Sequence, residues 1–168
     1  MPPVLSKFSR TDDEEHVQWK FAIAAAVIED NLSEVKRIIQ QNPQMVKDPF
    51  VLYDTWDLYL LDYAIINNGS YDCVALLISL GADIDRSNYS GPTPLHYAAK
   101  NGDVRVIELL LQYQPEIRLD EHGGSPLHWA ASYNRVDVLE VLVLHGCNVD
   151  VVSKIISNPN IQCRPSKQ

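Results

Sequence analysis

Five histidines and three cysteines are the side chains of this sequence best suited to metal binding or nucleophilic chemistry. Zinc needs imidazole or thiolate ligands at short, defined spacings, and His145-Gly146-Cys147 with His122 is the nearest approach to such a set. A nucleophilic Cys or Ser needs a base and an orienting acid beside it. Cys73 lies next to Val74 on an apolar segment, Cys147 follows a glycine, and Cys163 falls in the last stretch of the chain. No glycine-rich phosphate loop, no G-x-S-x-G and no H-E-x-x-H occurs. These residues predict no catalytic centre, no metal, no cofactor and no small-molecule substrate.

His96 and His128 belong to something larger. Thr93-Pro94-Leu95-His96-Tyr97-Ala98-Ala99 returns 32 residues later as Ser125-Pro126-Leu127-His128-Trp129-Ala130-Ala131. Gly91 pairs with Gly123 and Leu110 with Leu142 in the same phase, while Leu77 precedes Leu110 by 33. A T-P-L-H-x-A-A motif at this period is the ankyrin signature, and the chain resembles the ankyrin-repeat family. The resemblance implies an all-α solenoid of about four helix-turn-helix repeats with finger loops. It also gives His96 and His128 a structural role, bonding the backbone of a neighbouring finger.

Each part of the motif has a physical reason. Thr93 and Ser125 suit a helix N-cap, and the proline after each sits at the first helical position, where no N–H is needed. Leu95, Ala98 and Ala99 form an apolar stripe, with the alanines small enough for the next repeat to approach. Gly102 permits the turn to a second helix carrying Val106, Ile107, Leu110 and Leu111, and Gly91 and Gly123 suit a finger that needs positive φ. One such unit cannot bury its own apolar face, so units must stack.

Two weaker repeats come first. In residues 59–83 Asp62 stands where the family has histidine, and Tyr59-Leu60 replaces Thr-Pro. Residues 21–40 carry Ile23, Ala26, Val27, Val35, Ile38 and Ile39 in helical phase, and Thr11-Asp12-Asp13-Glu14 suits a capping box. The spacing predicts a long first helix from about Asp12 to Glu29. The organisation expected is an N-terminal segment and start of the capping helix (1–18), repeats at about 19–49, 54–85, 86–118 and 119–150, and a basic tail (151–168). About five extra residues lie in Pro43–Asp57, a finger holding Asp54, Trp56 and Asp57.

Charge narrows the partner. Lys+Arg number 14 against Asp+Glu 22, a net −8, and the tail holds Lys154, Arg164 and Lys167 with no acid. An acidic body repels a phosphate backbone, which excludes nucleic acid as the expected partner and favours basic protein surfaces. No apolar run approaches a membrane span, and the residues after Met1 lack a signal-peptide core. With three cysteines, a reducing cytoplasmic or nuclear location is expected.

The resemblance implies a non-catalytic module that binds protein through a concave face and finger tips. The family's contact positions fall on Tyr89 and Ser90, on Glu121 and His122, and on Asn67, Lys100, Asn101 and Tyr133. Trp56, flanked by Asp54 and Asp57, adds a rigid aromatic anchor in the lengthened finger. In size and layout the chain is similar to stand-alone four-repeat regulators such as cyclin-dependent-kinase inhibitors and the small ankyrin subunit of the PAN GU kinase. That implies a regulatory subunit or inhibitor whose partner is a kinase catalytic subunit or activator. The alternatives are an IκB-like binder of a Rel-type transcription factor and a general adaptor.

Overall fold

The computed structural model describes residues 14–49, 58–67, 70–88 and 91–147. Among them the regular structure is helical: α1 (Glu14–Ile28), α2 (Leu32–Gln41), a 3-10 turn (Pro43–Val46), α3 (Leu60–Ile66), α4 (Tyr71–Ser79), α5 (Pro94–Asn101), α6 (Val104–Gln112), α7 (Pro126–Ser132) and α8 (Val136–Leu144). Consecutive helices pair, and the pairs stack in two rows, α1–α3–α5–α7 and α2–α4–α6–α8. This is the all-α solenoid that the repeat predicts. The long first helix is present from Glu14, while Thr11 to Asp13 lie outside the described residues.

The stack is built by placing the same residue type at the same level of successive helices. Ile23, Leu61, Leu95 and Leu127 are almost wholly buried at one level, and Ala26, Ala64, Ala98 and Ala130 at the next. Each buried aliphatic side chain contributes about 1.5–3 kcal/mol, but only because a neighbouring repeat covers it. Cys73 is among these core residues, as expected from its place beside Val74.

Turns follow the same register. Gly102 ends α5 with φ at 89°, and Asn134 takes φ 55° at the matching place after α7. Asp30, at φ 54°, serves between α1 and α2, which answers how a first repeat without glycine makes its turn. Gly91 is more constrained. With φ at 85°, a Cβ there would lie 3.0 Å from the Asp120 Cα and 3.1 Å from the Glu121 nitrogen of the next finger.

The histidines lock fingers to helices. His96 is fully buried, and its Nδ1 accepts the Thr93 N–H at 3.0 Å while Nε2 meets the Gly124 carbonyl at 3.1 Å. An amide can only donate and a carbonyl can only accept, so the proton sits on Nε2. His128 repeats half of this, its Nδ1 accepting the Ser125 N–H at 3.0 Å. The residues that would form its following finger lie outside the described residues. Burial holds both imidazoles below their ordinary value of 6.5, so both enter the fold neutral.

Two outcomes are expected. Gly91→Ala should lower stability by about 2 kcal/mol in urea unfolding, from left-handed strain plus collision with the next finger. Unchanged stability would show that the fingers are not in close contact. His96→Ala should cost about 1–3 kcal/mol, more than His128→Ala. The stability that neutral His96 supplies is lost as pH falls below about 6.5, because the unfolded chain then takes up the proton first; a pH dependence equal to that of His96→Ala would contradict this.

Candidate functional site

The odd-numbered helices end in two rows of side chains that the core does not consume. Ile28, Ile66, Lys100 and Ser132 occupy one register position, and Glu29, Asn67, Asn101 and Tyr133 the next. Ile28 is 60% exposed, Ile66 38% and Tyr133 49%. Exposed isoleucines aligned on adjacent helices form an apolar ledge at the first two repeats. The third and fourth repeats are different: the Lys100 ammonium lies 5.1 Å above the Tyr133 ring, a cation–π contact across the repeat boundary.

Some of this row is already spoken for by the fold. The Asn101 amide donates to the Ile65 carbonyl of α3. Asn67 donates to Tyr63 O at 2.9 Å within its own helix end. The Arg135 guanidinium lies against Gly102 and donates through Nε to Lys100 O at 2.9 Å. These side-chain-to-backbone bonds fix the spacing of the row, while Lys100 and Tyr133 keep polar faces that a partner can reach.

The finger at 114–124 is held from within. The Asp120 carboxylate accepts the Trp129 indole N–H at 2.8 Å, the Gly124 amide at 2.7 Å and the His122 amide at 3.0 Å. Burial pushes this carboxyl up, but the indole and the two amides together hold it below the usual range. Trp129 also meets His96 and Tyr97 edge-on, with centroids 5.5 and 5.6 Å apart. Trp129 is therefore part of the latch, in keeping with a packing role. Glu121 and His122 are left at the tip, 3.5 Å apart and solvent-facing. A backbone amide joins this finger to the preceding one, Glu116 N donating to Asp85 Oδ1 at 2.8 Å, and within the finger Arg118 pairs with Glu116 at 2.7 Å.

Of the residues singled out from the sequence, the structure brings Lys100, Asn101, Asn67 and Tyr133 onto one set of helix ends and puts Glu121 and His122 at a finger tip. Asp54, Trp56, Asp57, Tyr89 and Ser90 lie outside the described residues. Ile28 was not singled out. Its signal was available, because it shares register with Ile66, each five residues beyond the core level of Ile23 and Leu61, but the first repeat lacks the motif that makes register obvious.

The groups suited to chemistry are placed for packing. Burial, and secondarily Asp30, pushes the Cys73 thiol up to about 11, and burial raises Cys147 as well, so neither is a ready thiolate. Among the described residues no group of three His, Cys, Asp or Glu side chains is placed to hold a metal ion. No helix there is long and apolar enough to cross a membrane.

Comparison with known proteins gives the same architecture. Residues 61–153 match the family described as ankyrin repeats (3 copies). The chain is 36% identical over 94 residues to a probable serine/threonine-protein kinase of Dictyostelium discoideum, covering 54% of this chain and 11% of that protein. It is 42% identical over 48 residues to inversin of Danio rerio, covering 29% and 5%. It is 36% identical over 55 residues to the target of rapamycin complex 2 subunit AVO2 of Saccharomyces cerevisiae, covering 33% and 13%. The chain thus spans a small part of the length of each of these relatives. The family match covers more than half of the chain and falls on the helix pairs whose stacking the histidines and alanines explain: the chain belongs to the ankyrin-repeat family, a fold that generally serves as a non-catalytic protein-interaction module.

Proposed function

We propose that this protein is a regulatory subunit or inhibitor that binds a cell-cycle protein kinase or its complex, in the cytoplasm or nucleus. In this reading four repeats (about 19–49, 54–85, 86–118 and 119–150) present the odd-helix row and the fingers to the partner. The observation that carries it is the row from Ile28 and Ile66 to Lys100 and Tyr133, aligned on successive odd-numbered helices and not used by the core. Adjacent packed helices lie about 8–10 Å apart, so four of them present a groove of about 30 Å, the length of a helix of about 20 residues. The finger acids Asp83, Asp85, Glu116 and Glu121, beside a net charge of −8, favour a partner with a basic rim around an apolar centre. The kinase part draws support from two relatives, one named as a probable serine/threonine-protein kinase and one as a subunit of a target of rapamycin complex.

The test is co-purification of the tagged chain from its native source, followed by titration of the recovered partner. A kinase or kinase activator is the expected dominant partner. A Rel-type transcription factor would replace the kinase reading with the IκB-like one. Trp56→Ala should cost at least about 2 kcal/mol of affinity and under about 1 kcal/mol of stability. Ile66→Asp should weaken binding to a similar degree with its urea midpoint nearly unchanged, because Ile66 is already part exposed. Full affinity in Ile66→Asp would move the interface away from this row, and full affinity in Trp56→Ala would take Trp56 out of the interface.

A further inference from the structure

Asp62 occupies on α3 the place that His96 and His128 occupy on α5 and α7. It is 0% exposed. Its Oδ2 accepts the Tyr59 N–H at 3.3 Å, just as Nδ1 of His96 accepts the Thr93 N–H. The second oxygen, Oδ1, is buried with no hydrogen-bond partner among the described residues. On α5 the atom in that place is Nε2, which delivers its hydrogen to the carbonyl of Gly124, the residue just before Ser125, the cap of α7. The residue just before the cap of α5, the next odd-numbered helix after α3, is Pro92, which precedes Thr93 and is buried. Proline offers a carbonyl and no N–H. An ionised carboxylate has no hydrogen to give a carbonyl, whereas a protonated one does.

We propose that Asp62 is built into the fold as the neutral acid, with Oδ1–H donating to the Pro92 carbonyl, so that the joint between the second and third repeats is a proton-held lock. Asp62 thereby imitates the histidine tautomer seen at His96, accepting from the cap amide and donating to the following finger. The surroundings match. Tyr97 of α5 faces Asp62, and its hydroxyl, which accepts from Asn88 Nδ2 at 3.0 Å, is pushed up to about 12, chiefly by burial. Arg86, from the finger, lies over the Tyr59 ring at 5.0 Å and is engaged with that tyrosine. No cation among the described residues draws Asp62 towards ionisation. Burial raises it from 3.8 to about 7, opposed only by the Tyr59 amide.

The sign follows from where the proton is held more tightly. The folded chain keeps it and the unfolded chain releases it, so the lock is at full strength below about 3.8 and is lost as pH rises through about 7. Above that point the fold contains a buried carboxylate facing a carbonyl, at the base of the helix that carries Ile66 and Asn67.

Asp62→Asn tests this, because an amide accepts and donates at every pH and so copies the neutral acid permanently. Urea midpoints of the wild type and Asp62→Asn, measured from about pH 4 to pH 8.5, should draw apart steadily up to about 7 and then run parallel, the wild type being the weaker. All histidines are common to both chains, so their titration cancels in the difference. A difference that stays constant across the range, or an Asp62→Asn chain weaker than the wild type at pH 8, would overturn the proposal. Should Asp62→Asn fail to fold, the carboxyl carbon of Asp62 can be followed by NMR in the wild type. A midpoint near 7 supports the lock, and one near 3.8 defeats it.

Discussion

No helix pair of this chain can cover its own apolar face, and that constraint organises everything else. The alanines at the Ala64, Ala98 and Ala130 level bring the next repeat close, and the buried leucines beside them gain nothing until it arrives. Apolar contact alone would let repeats slide. Register is imposed by polar groups reaching across each boundary: Ser70 to Asp30, Asn101 to the Ile65 carbonyl, Arg135 to the Lys100 carbonyl, and His96 to Gly124. Each of these ties one repeat to the next, and together they set the spacing of the row of helix ends.

Rigidity is what the exposed row draws on. Lys100 is placed over Tyr133 by the same boundary that Arg135 fastens, so the contact needs little further ordering when a partner arrives. The finger bearing Glu121 and His122 is likewise pre-set, because Asp120 spends its carboxylate on Trp129 and two backbone amides. The division of labour is by depth: the polar groups nearest the helices hold the scaffold, and those at the tips and ends stay available.

The strongest part of the fold was legible in the two seven-residue matches, since cap, proline, leucine and histidine each have a local reason to recur. Gly91 and Gly102 were legible for the same reason, and both adopt positive φ. The turn at Asp30 was not, because aspartate takes the left-handed region less often than glycine and leaves no mark in composition. The latch through Trp129 was also hidden, because its bond to Asp120 depends on how a finger folds back nine residues earlier. Asp62 was visible as a departure from the motif, but its burial and its lone Oδ1 come from the neighbouring repeat and could not be read locally. The resemblance pointed to Asn67, Lys100, Asn101 and Tyr133, which the structure places on one set of helix ends, and Ile28 escaped because the first repeat carries no motif to count from.

The central claim is that the repeats are mutually dependent, so that the exposed row exists only while the stack does. The most direct measurement leaves Trp129 as the single tryptophan, through Trp19→Phe and Trp56→Phe, and follows urea unfolding by its fluorescence and by far-ultraviolet circular dichroism. Trp129 reports the boundary between the third and fourth repeats, whereas dichroism reports all helices. Coincident single transitions are predicted. Loss of the Trp129 signal well before the helices melt would contradict the account, because it would mean that the last repeat is not held by its neighbours.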